Sequence, residues 1–176
     1  MIDDVIKVFI LEDRSTDAEL NKRYVLKFAP NAVFTVAQTK DAFLERIAWQ
    51  DYDVILADYH LPDYNGLTAL LHVREHYPDT PFIFVTGMLN DEQKSAEAIL
   101  NGANGYVLKE NLRTLEDSVK HALSQAAERR DKARRKADEH YQRNMLLQKA
   151  IHLVKNSEDF AAKQAVSEVL VALESL

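Results

Sequence analysis

Five short runs rich in β-branched and aromatic residues, at 6–11, 33–37, 54–57, 82–85 and 106–108, alternate with stretches of helical spacing. Runs this apolar need cover on both faces, and the amphipathic stretches between them supply it. Segments 16–28, 40–48, 67–77, 91–100 and 112–123 read as helices, with Thr39, Asn65 and Asn90 as N-caps. The alternation predicts an α/β fold of (βα)5 type, a doubly wound parallel five-stranded sheet, because right-handed crossovers lay helices on both faces.

Punctuation of the chain then changes abruptly. All four glycines (Gly66, Gly87, Gly102, Gly105) and all four prolines (Pro30, Pro62, Pro78, Pro81) precede residue 106, and the last 71 residues contain no helix breaker. This places one domain over 1–123, a helical, coiled-coil-like extension of the fifth helix over 124–155, and a short amphipathic helix over 156–176 that starts a following domain. From Val119 onward a heptad-like seam passes through Leu123, Ala126, Arg130, Ala133, Ala137, His140, Asn144, Leu147, Ile151 and Val154, seven of which are apolar. A parallel homodimer is the natural way to bury such a seam, with Arg130, His140 and Asn144 setting its register. Beyond a break at Asn156-Ser157-Glu158-Asp159, the last helix would use Phe160, Val166, Val169, Leu170, Leu173 and Leu176.

Charge is divided in the same way. Residues 1–124 carry 12 basic and 20 acidic side chains, a net of −8, whereas 125–155 carry 9 and 4, a net of +5. An acidic first part argues against nucleic acid, and the basic run 128–136 contains acids and no interleaved aromatics, as a solvated helix face does. The absence of cysteine excludes disulfides and thiolate chemistry. No run approaches the roughly 18 apolar residues of a membrane helix, and the acidic start is unlike a signal peptide. These features lead to the expectation of a cytoplasmic protein without membrane or direct nucleic-acid partners.

The chemistry lies at the carboxyl ends of the strands, where ligands gather in open parallel sheets. Glu12 and Asp13 follow the first strand, Asp58 the third, Thr86 the fourth and Lys109 the fifth. Each alone is an ordinary turn, cap or surface residue, so only their joint placement is informative. Three carboxylates in one crevice repel one another unless a cation is present, and an all-oxygen set suits Mg²⁺. The hydroxyl of Thr86 and the ammonium of Lys109 are then donors awaiting an anion, and a phosphoryl group on a carboxylate nucleophile fits.

Motif by motif, the chain resembles the response-regulator receiver family over roughly residues 5–123. Ile10-Leu11-Glu12-Asp13 is similar to the family's acidic pair. The stretch from Asp58 through Pro62 to Gly66 is similar to its phosphoacceptor and following loop, Val85-Thr86-Gly87 to its hydroxyl position, and Tyr106-Val107-Leu108-Lys109 to the strand with switch aromatic and lysine. The resemblance implies a flavodoxin-like fold in which Asp58 takes phosphate from a sensor histidine kinase or histidine phosphotransfer protein. Glu12, Asp13, Asp58 and the backbone carbonyl of His60 would help hold Mg²⁺, and Thr86 and Tyr106 would form a switch read on the helix 4, strand 5 and helix 5 face. It further implies a phosphoacceptor that catalyses only its own phosphorylation and dephosphorylation, and no other enzyme activity. Two positions depart from the usual pattern: Glu110 stands where proline is usual, so the cis peptide there is not expected, and His60 borders the path of a hydrolytic water.

Alternatives are recognisable by residue. An aspartyl phosphatase needs an acid or base two residues after its nucleophile, usually on an early strand, whereas Asp58 lies on the third strand and is followed at that spacing by His60. A degenerate receiver would lack one of the five site residues, and all are present. The stretch from His152 to Ser157 faintly resembles a histidine phosphotransfer motif, with Asn156 replacing its glycine. The ending resembles a connector before a sensory domain, so the chain can equally be the receiver part of a larger sensor kinase or regulator.

Overall fold

The computed structural model describes residues 1–62, 64–87 and 92–156, together with 164, 166 and 167. Strands β1 (Lys7–Leu11), β2 (Val33–Ala37), β3 (Val54–Ala57), β4 (Phe82–Thr86) and β5 (Gly105–Leu108) alternate with helices α1 (Ser15–Leu26), α2 (Lys40–Ile47), α3 (Gly66–His76) and α4 (Glu92–Leu100). A 3-10 turn, Lys109–Thr114, then leads into α5 (Leu115–Asn156). All strand pairs are parallel, in the order β2-β1-β3-β4-β5. This is the doubly wound sheet expected from the alternation. The expected cap positions also act as caps: Thr39 Oγ1 accepts from the amide of Ala42, and Asn65 Oδ1 from that of Leu67. Asn90 lies outside the described residues.

Period two along the buried strands divides the core into two layers. Phe9, Leu11, Ile55, Ala57, Phe82 and Phe84 face one way and pack with Phe43 and Ile47 of α2 and Leu70 and Val73 of α3. Val8, Ile10, Val54, Leu56, Ile83 and Val85 face the other way and pack with Ala18 and Val25 of α1 and with α5. Register fixes the site: Leu11 pairs with both Ala37 and Ala57, and Thr86 with Leu108. The residues that follow these strand ends therefore emerge at one rim. The order reverses between β1 and β3, and the crevice opens there.

Two compact units divide the chain, Met1–Arg129 and a second beginning at Arg130. Within the first, α5 buries Leu115, Val119, Ala122 and Ala126, an i, i+4, i+7, i+11 stripe against the sheet. The expected intermolecular seam therefore does not begin at Val119, because Val119 and Ala126 are consumed in the domain's own core. Between 127 and 146 every residue of α5 is exposed. The fifth helix also starts later than 112, because 112–114 are wound as the end of the 3-10 segment, whose path is kinked at Asn111 (φ −126°, ψ 47°), and α5 begins at Leu115. The expected closing helix at 156–176 falls mostly outside the described residues. Among those described, no helix is long and apolar enough to cross a membrane and no peptide bond is cis.

Gly66 shows how tightly the loop after β3 is seated. A Cβ there would lie 2.5 Å from the Asp58 carbonyl oxygen and 2.9 Å from both Phe84 Cε1 and Tyr59 Cα. Two of these three contacts are backbone, which cannot swing aside as a flexible side chain does. Gly66→Ala is expected to lose about 2 kcal/mol in urea denaturation. Gly87→Ala, whose Cβ among the described residues meets only Lys109 Cδ at 3.8 Å, should stay within about 0.5 kcal/mol of the parent.

Candidate functional site

The crevice is built where β1 and β3 end. Asp58 directly follows β3, and its amide donates to the Leu11 carbonyl at 2.9 Å, while the amide of Glu12 donates to Ala37 at 3.0 Å. Ladder bonds thus extend one residue past the strands and hold both carboxyl-bearing residues in place. Asp58 Oδ1 accepts from the His60 amide at 3.2 Å, which fixes the carboxylate plane. Lys109 opens the 3-10 turn after β5 and sends its side chain back across the rim. Its Nζ donates to Asp58 Oδ2 at 2.7 Å and to Asp17 Oδ2 at 2.9 Å, and it pairs with Glu12 Oε2 at 2.7 Å. One ammonium thus serves three carboxylates.

The electrostatics follow from burial and from the sharing of that ammonium. Glu12 is fully buried, and this burial, with the nearby charge of Asp58, pushes its carboxyl up to about 7 despite the opposing pull of Lys109. Asp17 lies nearer solvent, and its bond to Lys109 holds it below the usual carboxylate value. Burial alone would lower the Lys109 ammonium, but its bonds to Asp58, Glu12 and Asp17 outweigh that and raise it.

Oxygens of Glu12, Asp13 and Asp58 all lie within 4.8 Å of one another. A hard divalent cation would answer the excess negative charge of these acids, and the donor set is all oxygen, so the residues present fit Mg²⁺. Above them opens a cavity of about 400 Å³ lined by Asp13, Asp17, Asp58, His60, Thr86 and Lys109 among others.

The structure therefore brings together Glu12, Asp13, Asp58 and Lys109 by direct approach, and places the buried Thr86 in the same lining. Tyr106 stands apart from it. On β5 it is paired in register with Phe84, and its half-buried ring lies 6.3 Å from that of Phe84 in the packed layer. His60 turns its ring toward Lys94 of α4, with Nε2 and Nζ 3.2 Å apart, and the hydroxyl of Tyr59 donates to Glu97 of the same helix at 3.3 Å. His152 is exposed on α5 in the second unit. Sequence reasoning missed Asp17, an acid in the first turn of α1 and four residues beyond Asp13. Its only signal was its position at the same rim.

A model of the response regulator receiver domain matches residues 8–120. The chain belongs to the response regulator receiver family. Its relatives include the regulatory protein LuxO of Vibrio cholerae, 31% identical over 57% of this chain and 21% of that protein. The transcriptional regulatory protein DegU of Brevibacillus brevis is 29% identical over 60% of this chain and 44% of its own length. The chain thus spans less than half the length of these curated relatives. A CheY-like receiver domain from Methanospirillum hungatei shares the fold with a TM-score of 0.63 at 24% identity, covering 72% of this chain and 99% of that one. The receiver domain of a putative LuxO repressor from Vibrio parahaemolyticus gives 0.62 at 25% identity, covering 70% and 94%.

The charge shortage is measurable. With its folded value near 7 and its ordinary value at 4.5, Glu12 contributes its full stability to the metal-free fold below about pH 4.5, and that contribution is lost progressively as pH rises from there through 7. Without metal at pH 8, Glu12→Gln is therefore expected to be more stable than the parent by about 2–3 kcal/mol. Mg²⁺ at a hundredfold excess over Kd should stabilise the parent by about 2.7 kcal/mol and the variant much less. Thermal melts with and without Mg²⁺ read both.

Proposed function

We propose that this receiver domain is a phosphoacceptor: Asp58 takes a phosphoryl group from the phosphohistidine of a sensor histidine kinase or histidine phosphotransfer protein. The observation that carries the reading is the 2.7 Å bond between Asp58 Oδ2 and Lys109 Nζ at the mouth of a cavity flanked by two further acids. In the transfer, a carboxylate oxygen of Asp58 forms a bond to phosphorus as the phosphorus–nitrogen bond of the donor breaks. The bonding pair returns to the donor imidazole, which takes up a proton.

The chain's own groups supply positioning and charge. The His60 amide holds the carboxylate in plane, and Lys109 neutralises charge passing to the equatorial oxygens. Bound Mg²⁺, held by Glu12, Asp13, Asp58 and the His60 carbonyl, would supply Lewis acidity toward the same oxygens. Thr86, buried in the lining, carries a hydroxyl that can donate to the new phosphoryl group. Movement of Thr86 toward it would free space behind β4 for Tyr106, altering the face formed by α4, β5 and α5. Phosphorylation and hydrolysis at Asp58 are self-catalysed, and no separate substrate is turned over. Output would pass into α5, whose exposed stretch from 127 to 146 supports pairing with a second copy of the chain. A second reading, with the extension as a linker inside a larger sensor kinase or regulator, is supported by the greater length of the relatives.

Incubation with acetyl phosphate and Mg²⁺ is expected to add one phosphoryl mass to the intact protein and none to Asp58→Ala. Light scattering after size exclusion should register a change of oligomeric state in the parent alone. An equal adduct on Asp58→Ala would overturn the assignment and direct attention to His152.

A further inference from the structure

Only two of the three carboxylates on Lys109 belong to strand ends. Asp17 comes from the first turn of α1; its side chain is 18% exposed, and its Oδ2 accepts from Lys109 Nζ at 2.9 Å. Among the described residues its other polar neighbours are weak: Thr16 Oγ1 at 3.4 Å, and Arg14 Nη1 at 3.6 Å on a side chain 68% exposed.

We propose that Asp17 is a positioning residue that competes with the phosphoryl group for Lys109 and so limits how tightly the pocket retains it. The proposal rests on the reading of Asp58 as phosphoacceptor. Phosphorylation replaces one negative charge at Asp58 by about two on the acyl phosphate. The three donors of Lys109 already face three carboxylates, so a phosphoryl oxygen gains one only if a carboxylate gives it up. Glu12 belongs to the acidic cluster that fits a metal, and Asp58 itself becomes the acyl phosphate. Asp17 is the partner outside that cluster and the one Lys109 would have to leave. Its charge also remains beside the incoming anion, and the exposed Arg14 offsets it weakly because solvent screens that pair.

Asp17 has an opposite effect as well, since it helps hold Lys109 in place. That contribution is the smaller one: the approaches of Lys109 to Asp58 and Glu12, both 2.7 Å, are shorter and remain when Asp17 is neutralised. Removing one like charge at this range from a partly buried anion is worth about tenfold in affinity.

Beryllofluoride, an analogue of the phosphoryl group, makes the test direct. Its affinity at saturating Mg²⁺ is measured by fluorine NMR for the parent, Asp17→Asn, Asp17→Ala and Asp17→Glu. Mg²⁺ affinity is measured separately without fluoride. Asp17→Asn and Asp17→Ala are expected to bind beryllofluoride about tenfold tighter while binding Mg²⁺ no tighter than the parent; Asp17→Glu should return to the parental value. A merely structural role would weaken both ligands together, and unchanged or weaker beryllofluoride binding by both neutral variants overturns the proposal. A parent that binds no beryllofluoride would instead remove the phosphoacceptor reading itself, and the role of Asp17 with it.

Discussion

The rim of this domain depends on the single ammonium of Lys109, which lets Glu12, Asp17 and Asp58 share a largely buried crevice. Carboxylates this close are tolerated only where counter-charge is fixed among them, and one lysine leaves the balance negative. The carboxyl of Glu12 is raised mainly by its burial, with the neighbouring charge of Asp58 adding to it. The negative balance makes the site receptive to a divalent cation, and Lys109 places a positive group where a transferred anion would arrive. Stability and chemistry pull in opposite directions here, as they commonly do where function requires like charges to be gathered.

The sheet makes this arrangement possible without help from distant loops. Leu11 stands level with Ala37 and Ala57, so the acids following β1 and β3 emerge together. Thr86 closes β4 beside Leu108, and the next residue is Lys109. Phe84, beneath the rim, packs against Tyr59, Phe82 and Tyr106, and the missing side chain of Gly66 lets the loop after β3 lie directly on this aromatic layer. Tyr59, next to the phosphoacceptor candidate, and Tyr106 on β5 therefore meet on the same Phe84 ring. Tyr59 and His60 add a separate tie to α4 through Glu97 and Lys94.

Much of this was legible in the sequence because strand-end residues are defined by position as well as by type. Once five apolar runs were placed, Glu12, Asp13, Asp58, Thr86 and Lys109 fell at one rim by topology alone. Asp17 was not, because an acid in a helix's first turn is the ordinary response to the helix dipole and does not show that Lys109, from the turn after β5, reaches it. Val119 and Ala126 were misplaced for a different reason. Over two or three turns a 3.5-residue repeat cannot be told from the 3.6-residue stripe of a helix lying on its own core, so the seam was drawn two turns too early. The start of α5 was placed three residues early because 112–114 are wound as a 3-10 turn, whose composition looks like that of an α-helix.

The central claim is that the transferred group resides on Asp58. Borohydride reduction of protein treated with acetyl phosphate and Mg²⁺ converts an aspartyl phosphate to homoserine, and peptide mass mapping locates it. Homoserine at position 58, dependent on Mg²⁺ and on the presence of Lys109, is the result this account predicts. Homoserine at another aspartate, or phosphate retained on a histidine with residue 58 unmodified, would contradict it.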